Sequence, residues 1–145
     1  MNKEMIMYKF GADTVHIQFK PGVFMFEPEA AMGKTRLGKM FKQMMLKGIP
    51  VACYTYNDLK EYRVTLSDYL KGRKVKVLII DRYNLYSDKF HDTIKNLADS
   101  GCMVLMDLKN YLSKTDVLAD LDPDEQDVRV CMGERDIKLC FVAGE

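Results

Sequence analysis

The stretch GVFMFEPEAAMGKTRLGKM, residues 22–40, begins with an apolar run and ends with basic residues at helical spacing. Gly33-Lys34-Thr35 lies at the junction, and a strand leading into a helix is the context in which phosphate-binding loops occur. The complete loop pattern is Gly-x-x-x-x-Gly-Lys-Ser/Thr, which requires a glycine at position 28, where this chain has proline. The stretch therefore predicts a strand–loop–helix unit with an incomplete phosphate-binding pattern.

The region after this unit alternates between helical and strand-like patterns. Residues 34–47 place apolar side chains three and four positions apart, and Gly48 and Pro50 then end the helix. Residues 57–74 are polar and are expected to be partly helical, as a short helix between two strands, and a further helix is expected between Ser87 and Gly101. Together with residues 22–26, strands are predicted at residues 51–56, 75–80 and 102–106. This alternation is typical of an α/β fold with a parallel sheet.

Both ends of the chain show the period-two alternation of antiparallel hairpins. MIMYKF and TVHIQF flank Gly11-Ala12-Asp13, which predicts an N-terminal hairpin with a three- or four-residue turn. DVRVCM and DIKLCFV flank Gly133-Glu134-Arg135 and predict a C-terminal hairpin. The predicted fold class is α/β, a doubly wound, mainly parallel sheet with N-terminal and C-terminal β-hairpins. We expect residues 1–145 to form a single domain.

Composition limits the classes of function. Hydrophobic residues make up 48% of the chain, and 22 basic residues face 21 acidic ones, so no bulk charge attracts nucleic acid or an anionic membrane. No apolar run has the length of a membrane span, and MNKEMIMYKF lacks a signal-peptide core, which predicts a cytoplasmic protein. The cysteines lie in apolar runs without metal-site spacing, and we interpret them as reduced core thiols. They are Cys53, Cys102, Cys131 and Cys140.

The start of the predicted helix is the candidate ligand site. A helix N-terminus offers unpaired N–H groups and a positive dipole end to phosphate oxygens, while a lysine adds a point charge. The expected phosphate contacts are Met32, Gly33, Lys34, Thr35 and Arg36. Asp81 ends the strand VKVLIID at the sheet edge where α/β proteins bind ligands, so Thr35 and Asp81 are the predicted Mg²⁺ residues.

With these motifs the chain resembles the P-loop NTPases, and more narrowly the helicase-loader and transposition-helper type of AAA+ ATPase. The resemblance runs from GVFMFEPEAAMGKT through VKVLIIDRYNLY to CMVLMDLKN. It implies a P-loop NTPase-like sheet that binds ATP or GTP with Mg²⁺, with Lys34 and Thr35 in the loop (Walker A). It further implies Asp81 as the magnesium aspartate (Walker B) and Asn110 as a polar sensor residue.

The chain also departs from this family at several positions. Pro28 removes an N–H from the loop, Ala31 stands where such loops often have glycine, and Glu29 adds a carboxylate that opposes a triphosphate. Arg82 occupies the place of the catalytic glutamate and cannot take a proton from water. The helical lid of the family has no counterpart after residue 110. We therefore expect slow or absent hydrolysis.

Three hypotheses of function follow. The first is a nucleotide-binding switch or adaptor, and the second is an interaction protein that has lost nucleotide binding. The third is an active ATPase that assists a DNA-processing machine, for which the basic first helix offers a local nucleic-acid contact. Five tyrosines near strand ends are candidates for ordinary packing, and one of them for stacking on a base. They are Tyr54, Tyr56, Tyr62, Tyr83 and Tyr86.

Overall fold

The protein is described from a computed structural model that covers residues 4–27, 31–81, 90–107 and 127–142. These residues form four helices and eight strands, and all eight strands belong to one mixed sheet. The strands are β1 (Glu4–Phe10), β2 (Asp13–Phe19), β3 (Gly22–Phe26), β4 (Val51–Tyr54), β5 (Val77–Ile80), β6 (Met103–Met106), β7 (Asp127–Met132) and β8 (Asp136–Phe141). The helices are α1 (Ala31–Leu46), α2 (Tyr56–Lys60), α3 (Leu66–Leu70) and α4 (His91–Asp99).

The eight strands form a half-barrel in the order β1-β2-β8-β7-β3-β6-β5-β4. The segment β3-β6-β5-β4 is parallel throughout, and β7 pairs in parallel with the end of β3. β1–β2 and β7–β8 are antiparallel hairpins. A parallel pairing joins β2 to β8, with Val15 opposite Ile137 and Ile17 opposite Leu139.

The predicted fold class, a P-loop NTPase-like doubly wound and mainly parallel sheet, is wrong. Half of the strands belong to the two hairpins, which are integral members of one mixed sheet rather than additions to a parallel one. The connection between β4 and β5 carries only the five-residue helices α2 and α3, short of the full crossover helix that a doubly wound sheet places between parallel strands. Alternation in a sequence identifies a half-buried strand but not its neighbour, so the joining of β2 to β8 could not be foreseen.

The sheet has two faces with separate cores. Successive residues of β3 alternate between them: Phe24 and Phe26 belong to the core that contains α1, and Val23 and Met25 belong to the other. The α1 core extends under the hairpin strands β2, β7 and β8. The second core lies under the parallel strands alone and is closed by α3 and α4.

Most local predictions are confirmed. β3 has the predicted bounds, and β4, β5 and β6 fall inside the predicted ranges. α1 begins at Ala31, three residues before the predicted stretch 34–47, and it ends as expected before Gly48, whose φ is +85°. In the confirmed N-terminal hairpin, Phe10 pairs with Asp13, so the turn has two residues and is shorter than predicted. Ser87 lies outside the described residues.

The interpretation of all four cysteines as core thiols is only half right. Cys53 and Cys102 are buried, whereas Cys131 is exposed and Cys140 is half-buried. The latter two lie on the face of the β7–β8 hairpin opposite the α1 core, because the alternating residues Val130 and Leu139 occupy that core. All four thiols are free.

Candidate functional site

A cavity of about 570 Å³ opens at the carboxyl ends of β4, β5 and β6, beside the first turns of α1. Its size is in the ordinary range for a small-molecule pocket, and ligands of open α/β sheets bind at this edge. Three lysines and three aspartates contribute to its walls. They are Lys34, Lys39, Lys42, Asp58, Asp81 and Asp107.

Lys34 is directed into the cavity and is held there by a carboxylate. Its Nζ donates a hydrogen bond to Asp107 Oδ1 at 2.8 Å, and the two side chains are 10% and 22% exposed. The ammonium also lies 5.9 Å from the centre of the Phe26 ring. A charge-assisted hydrogen bond that is so shielded from water fixes the position of the lysine side chain. It also places the Asp107 carboxylate where it would compete with a phosphate for Lys34.

Asp81 and Asp107 extend adjacent strands by one residue each. Asp81 N donates to Tyr54 O at 3.0 Å, and Asp107 N donates to Ile80 O at 2.9 Å, so both residues continue the parallel ladder. Ile80 and Met106 are opposite each other in β5 and β6, which places the two aspartates side by side. Both line the cavity together with Thr35. The arrangement offers two carboxylates and a hydroxyl to a hydrated cation.

Asp107 was missed by the sequence reasoning, although the signal that identified Asp81 applies to it as well. It directly follows the buried run MVLM, just as Asp81 follows VLII. Asn110 was chosen instead, and it lies outside the described residues. Every polar residue at the carboxyl end of a parallel strand is therefore a candidate for the ligand site at that edge of the sheet.

A second charged cluster surrounds Lys42 on the β4 side of the cavity. Lys42 Nζ donates to Asp58 Oδ2 at 2.9 Å, and Asp58 Oδ2 also accepts from Thr55 N at 2.7 Å and Thr55 Oγ1 at 2.9 Å. Thr55 is the N-cap of α2 and forms a capping box with Asp58. Lys42 Nζ lies 5.1 Å from the centre of the Tyr69 ring, and the Tyr69 hydroxyl donates to Cys53 O at 2.8 Å.

The protonation states of this cluster follow from burial and pairing. Burial lowers the pKa of the Lys42 ammonium, but the hydrogen bond to Asp58 and the electrostatic influence of Tyr69 and Asp58 outweigh it, so the pKa is raised. Burial raises the pKa of the Cys53 thiol to about 12, with Lys42 acting in the opposite direction. Cys53 lines the cavity as a neutral thiol and is a poor nucleophile at neutral pH.

Four of the five predicted phosphate contacts can be placed, and they separate into two groups. Lys34 and Thr35 line the cavity. Gly33 packs against the hairpin instead: a Cβ on it would lie 3.1 Å from Val130 Cγ1 and 3.2 Å from Met132 Cγ. Arg36 is exposed on α1.

Other residues of the predicted site fall outside what the structure describes. Met32 belongs to the first turn of α1, and its side chain is not among the described ones. Pro28, Glu29 and Arg82 lie outside the described residues. In the four described ranges, no group of three or more His, Cys, Asp or Glu side chains is placed to hold a metal ion.

Comparison with known proteins gives no family for this chain. No family model matches it, and no curated protein is similar to it in sequence. Within the described part of the chain, no helix is both long and apolar enough to cross a membrane.

Proposed function

We propose that the cavity binds the phosphates of ATP or GTP together with Mg²⁺, and that the protein acts as a cytoplasmic nucleotide-dependent switch or adaptor. One observation carries the proposal: Lys34, Thr35, Asp81 and Asp107 come from three separate segments and line the same cavity. A cation for phosphate beside oxygen groups for magnesium is the donor set that a metal–nucleotide complex needs.

The residues present fit such a ligand in kind. Lys34 would hold a phosphate oxygen, and Lys39, which makes no ion pair within the described chain, adds positive charge at the exposed side of the cavity. Mg²⁺ keeps several water molecules and binds through one or two carboxylates plus the phosphates, so a cage of three protein carboxylates is not required. Bound Mg²⁺ would neutralise phosphate charge, with Thr35, Asp81 and Asp107 as its nearest candidate ligands.

Slow or absent hydrolysis belongs to the proposal. The described lining includes no glutamate, and Asp58 already accepts from Thr55 and Lys42. Arg82, next to Asp81 in sequence, has a side chain that cannot accept a proton from water. We expect turnover of MgATP well below about 1 per second, the lower end of the usual enzyme range.

The test is isothermal titration of the protein with ATP and with GTP, each with and without Mg²⁺. Loss of a charged hydrogen-bond partner lowers affinity by about tenfold or more, so Lys34→Ala should bind far more weakly than the wild type. Lys138→Ala, on the exposed side of β8, is the matched control and should bind normally. Equal affinity of wild type and Lys34→Ala would contradict the proposal.

A second candidate is an interaction protein that binds no nucleotide, and it is favoured by the Lys34–Asp107 ion pair. The pair already gives the lysine a partner, so the cavity has a stable state that needs no ligand. Absence of heat and of thermal stabilisation with millimolar MgATP and MgGTP would favour this candidate. A search for a protein partner would then be the next experiment.

A further inference from the structure

The cavity extends sideways along the sheet edge, from a charged end at β6 to an aromatic end beyond β4. Lys34 and Asp107 pair at the β6 end, whereas Tyr56, Asn57 and Tyr62 line the cavity after β4. β4 is the outermost strand and is separated from β6 by β5. With about 4.8 Å between neighbouring strands, the two ends are roughly 10 Å apart. One elongated ligand can therefore contact both.

The segment that carries Tyr62 is firmly anchored. Tyr62 N donates to Asn57 O at 3.3 Å, Val64 N donates to Asp58 O at 2.9 Å, and the Tyr54 hydroxyl donates to Val64 O. These bonds hold Arg63 at φ +54°, a left-handed conformation that a non-glycine residue rarely adopts. This backbone conformation is unfavourable and is maintained by the surrounding hydrogen bonds, which indicates that the position of the neighbouring residue Tyr62 is fixed.

The Tyr62 ring is available for a ligand. Tyr62 lines the cavity and is 69% exposed, which makes it one of the large hydrophobic residues that remain accessible to solvent. The Tyr54 ring packs edge to face against Tyr69 and against Phe90, whereas Tyr62 has no ring partner among the described residues. Tyr56 lies on the same wall, with Lys60 Nζ 5.9 Å from the centre of its ring.

We infer that Tyr62, supported by Tyr56, stacks on the base of a free mononucleotide whose phosphates lie at Lys34. The inference rests on the proposed phosphate site and adds the part of that site that would hold the base of the nucleotide. Aromatic side chains stack on any base, so the site selects for a planar ring more than for one base. A cavity of about 570 Å³ has the size of a small-ligand pocket and suits a single nucleotide rather than a nucleic-acid strand.

The experiment compares Mg²⁺–tripolyphosphate with MgATP by isothermal titration. Stacking on an aromatic side chain contributes affinity that corresponds to about fivefold or more, so MgATP should bind the wild type at least about fivefold more tightly than tripolyphosphate. Tyr62→Ala should lose this advantage and leave tripolyphosphate binding unchanged. Tyr62→Phe should retain it because the ring remains. Leu46→Ala, an exposed apolar residue in the last turn of α1, is the control for a surface truncation.

The possible results separate the two proposals. If MgATP and tripolyphosphate bind equally well to wild type and to Tyr62→Ala, the stacking inference is overturned and the phosphate site stands. If neither ligand binds the wild type, the phosphate site is overturned and the stacking inference with it. Tighter binding of a short single-stranded oligonucleotide than of MgATP, lost in Tyr62→Ala, would overturn the assignment to a mononucleotide.

Discussion

Lys34 Nζ and Asp107 Oδ1 form a hydrogen-bonded ion pair at 2.8 Å in which both side chains are largely shielded from water. The pair connects the first turns of α1 to the carboxyl end of β6. The positive charge of Lys34 is therefore already balanced within the site, and a phosphate that binds Lys34 must displace the Asp107 carboxylate. The cost of that exchange is measurable.

Asp107→Asn should strengthen the binding of tripolyphosphate in the absence of metal. Replacement of the carboxylate by an amide leaves Lys34 without a charged partner, which should lower the free energy of unfolding by about 1–3 kcal/mol. An added phosphate then restores a partner, and affinity should rise by about tenfold. Titration of tripolyphosphate in EDTA measures the effect, with Asp136→Asn on the exposed part of β8 as control. Unchanged affinity would remove Lys34 from the phosphate site.

The Thr55–Asp58 capping box should stabilise the β4 side of the cavity. Thr55→Ala removes an N-cap and should lower the free energy of unfolding by about 1 kcal/mol. Asp58→Asn weakens the bonds from Thr55 and from Lys42, so a larger loss of about 2 kcal/mol is expected. Urea unfolding measures both variants. Thr65→Ala at the start of α3 is the matched comparison, because it removes an N-cap whose side chain accepts a single bond, from Asp68 N at 3.2 Å, and its loss should be no larger than that of Thr55→Ala.

A double-mutant cycle tests whether these groups act as one unit. Thr55→Ala and Asp58→Asn remove opposite sides of the same capping box, so the combined loss should be smaller than the sum of the single losses. Strict additivity would show that the Thr55 and Asp58 side chains stabilise the fold independently of each other, in disagreement with the bond between them.

The sequence predicts local structure here better than strand partners. The apolar runs of β3, β5 and β6 bury both faces, and this signal needs no knowledge of neighbours. In contrast, β2 alternates between buried and half-exposed residues, a pattern that fits any edge of any sheet. Its parallel partner β8 comes from the opposite end of the chain, and no local feature encodes that contact.

The candidate site was predictable to the same degree. Lys34, Thr35 and Asp81 were found because each has a fixed place relative to one strand or one helix start. Lys42 and Asp58 were not found, because Lys42 belongs to the apolar and basic periodicity of α1 and only the tertiary fold brings it to Asp58. Gly33 shows the reverse case, in which a motif residue has a packing contact with β7 that its motif does not reveal.

Gly38 should be required for the close approach of α1 to β4. A Cβ at this position would lie 3.1 Å from Cys53 Sγ, so Gly38→Ala should cost about 1–2 kcal/mol of stability through overpacking. In a Cys53→Ala background the sulfur is absent, and the higher helix propensity of alanine should make the same substitution stabilising by up to about 1 kcal/mol. Urea unfolding of the four proteins measures this reversal of sign. Destabilisation of equal size in both backgrounds would contradict the contact.

The buried thiols should make the protein sensitive to alkaline pH. Burial raises the pKa of Cys53 and of Cys102 to about 12 from an ordinary value of 9.0. The folded state therefore retains these protons while the unfolded state releases them, so their contribution to stability is fully present below pH 9.0 and is lost between pH 9.0 and about 12. Each thiol should give a slope of up to about 1.4 kcal/mol per pH unit in this window.

Urea unfolding between pH 8 and pH 11 measures that slope under reducing conditions. Cys53→Ala and Cys102→Ala should each flatten the decline above pH 9.0, even though each variant also leaves a small cavity that lowers stability at every pH. Cys131→Ala is the matched control, since this cysteine is exposed and lies outside both cores, and it should leave the slope unchanged. The burial of Tyr54 raises its pKa to about 12 and adds a further loss above pH 10.0 that all three variants share. Equal slopes in wild type and in both core variants would show that the pKa of each buried thiol is the same in the folded and the unfolded state.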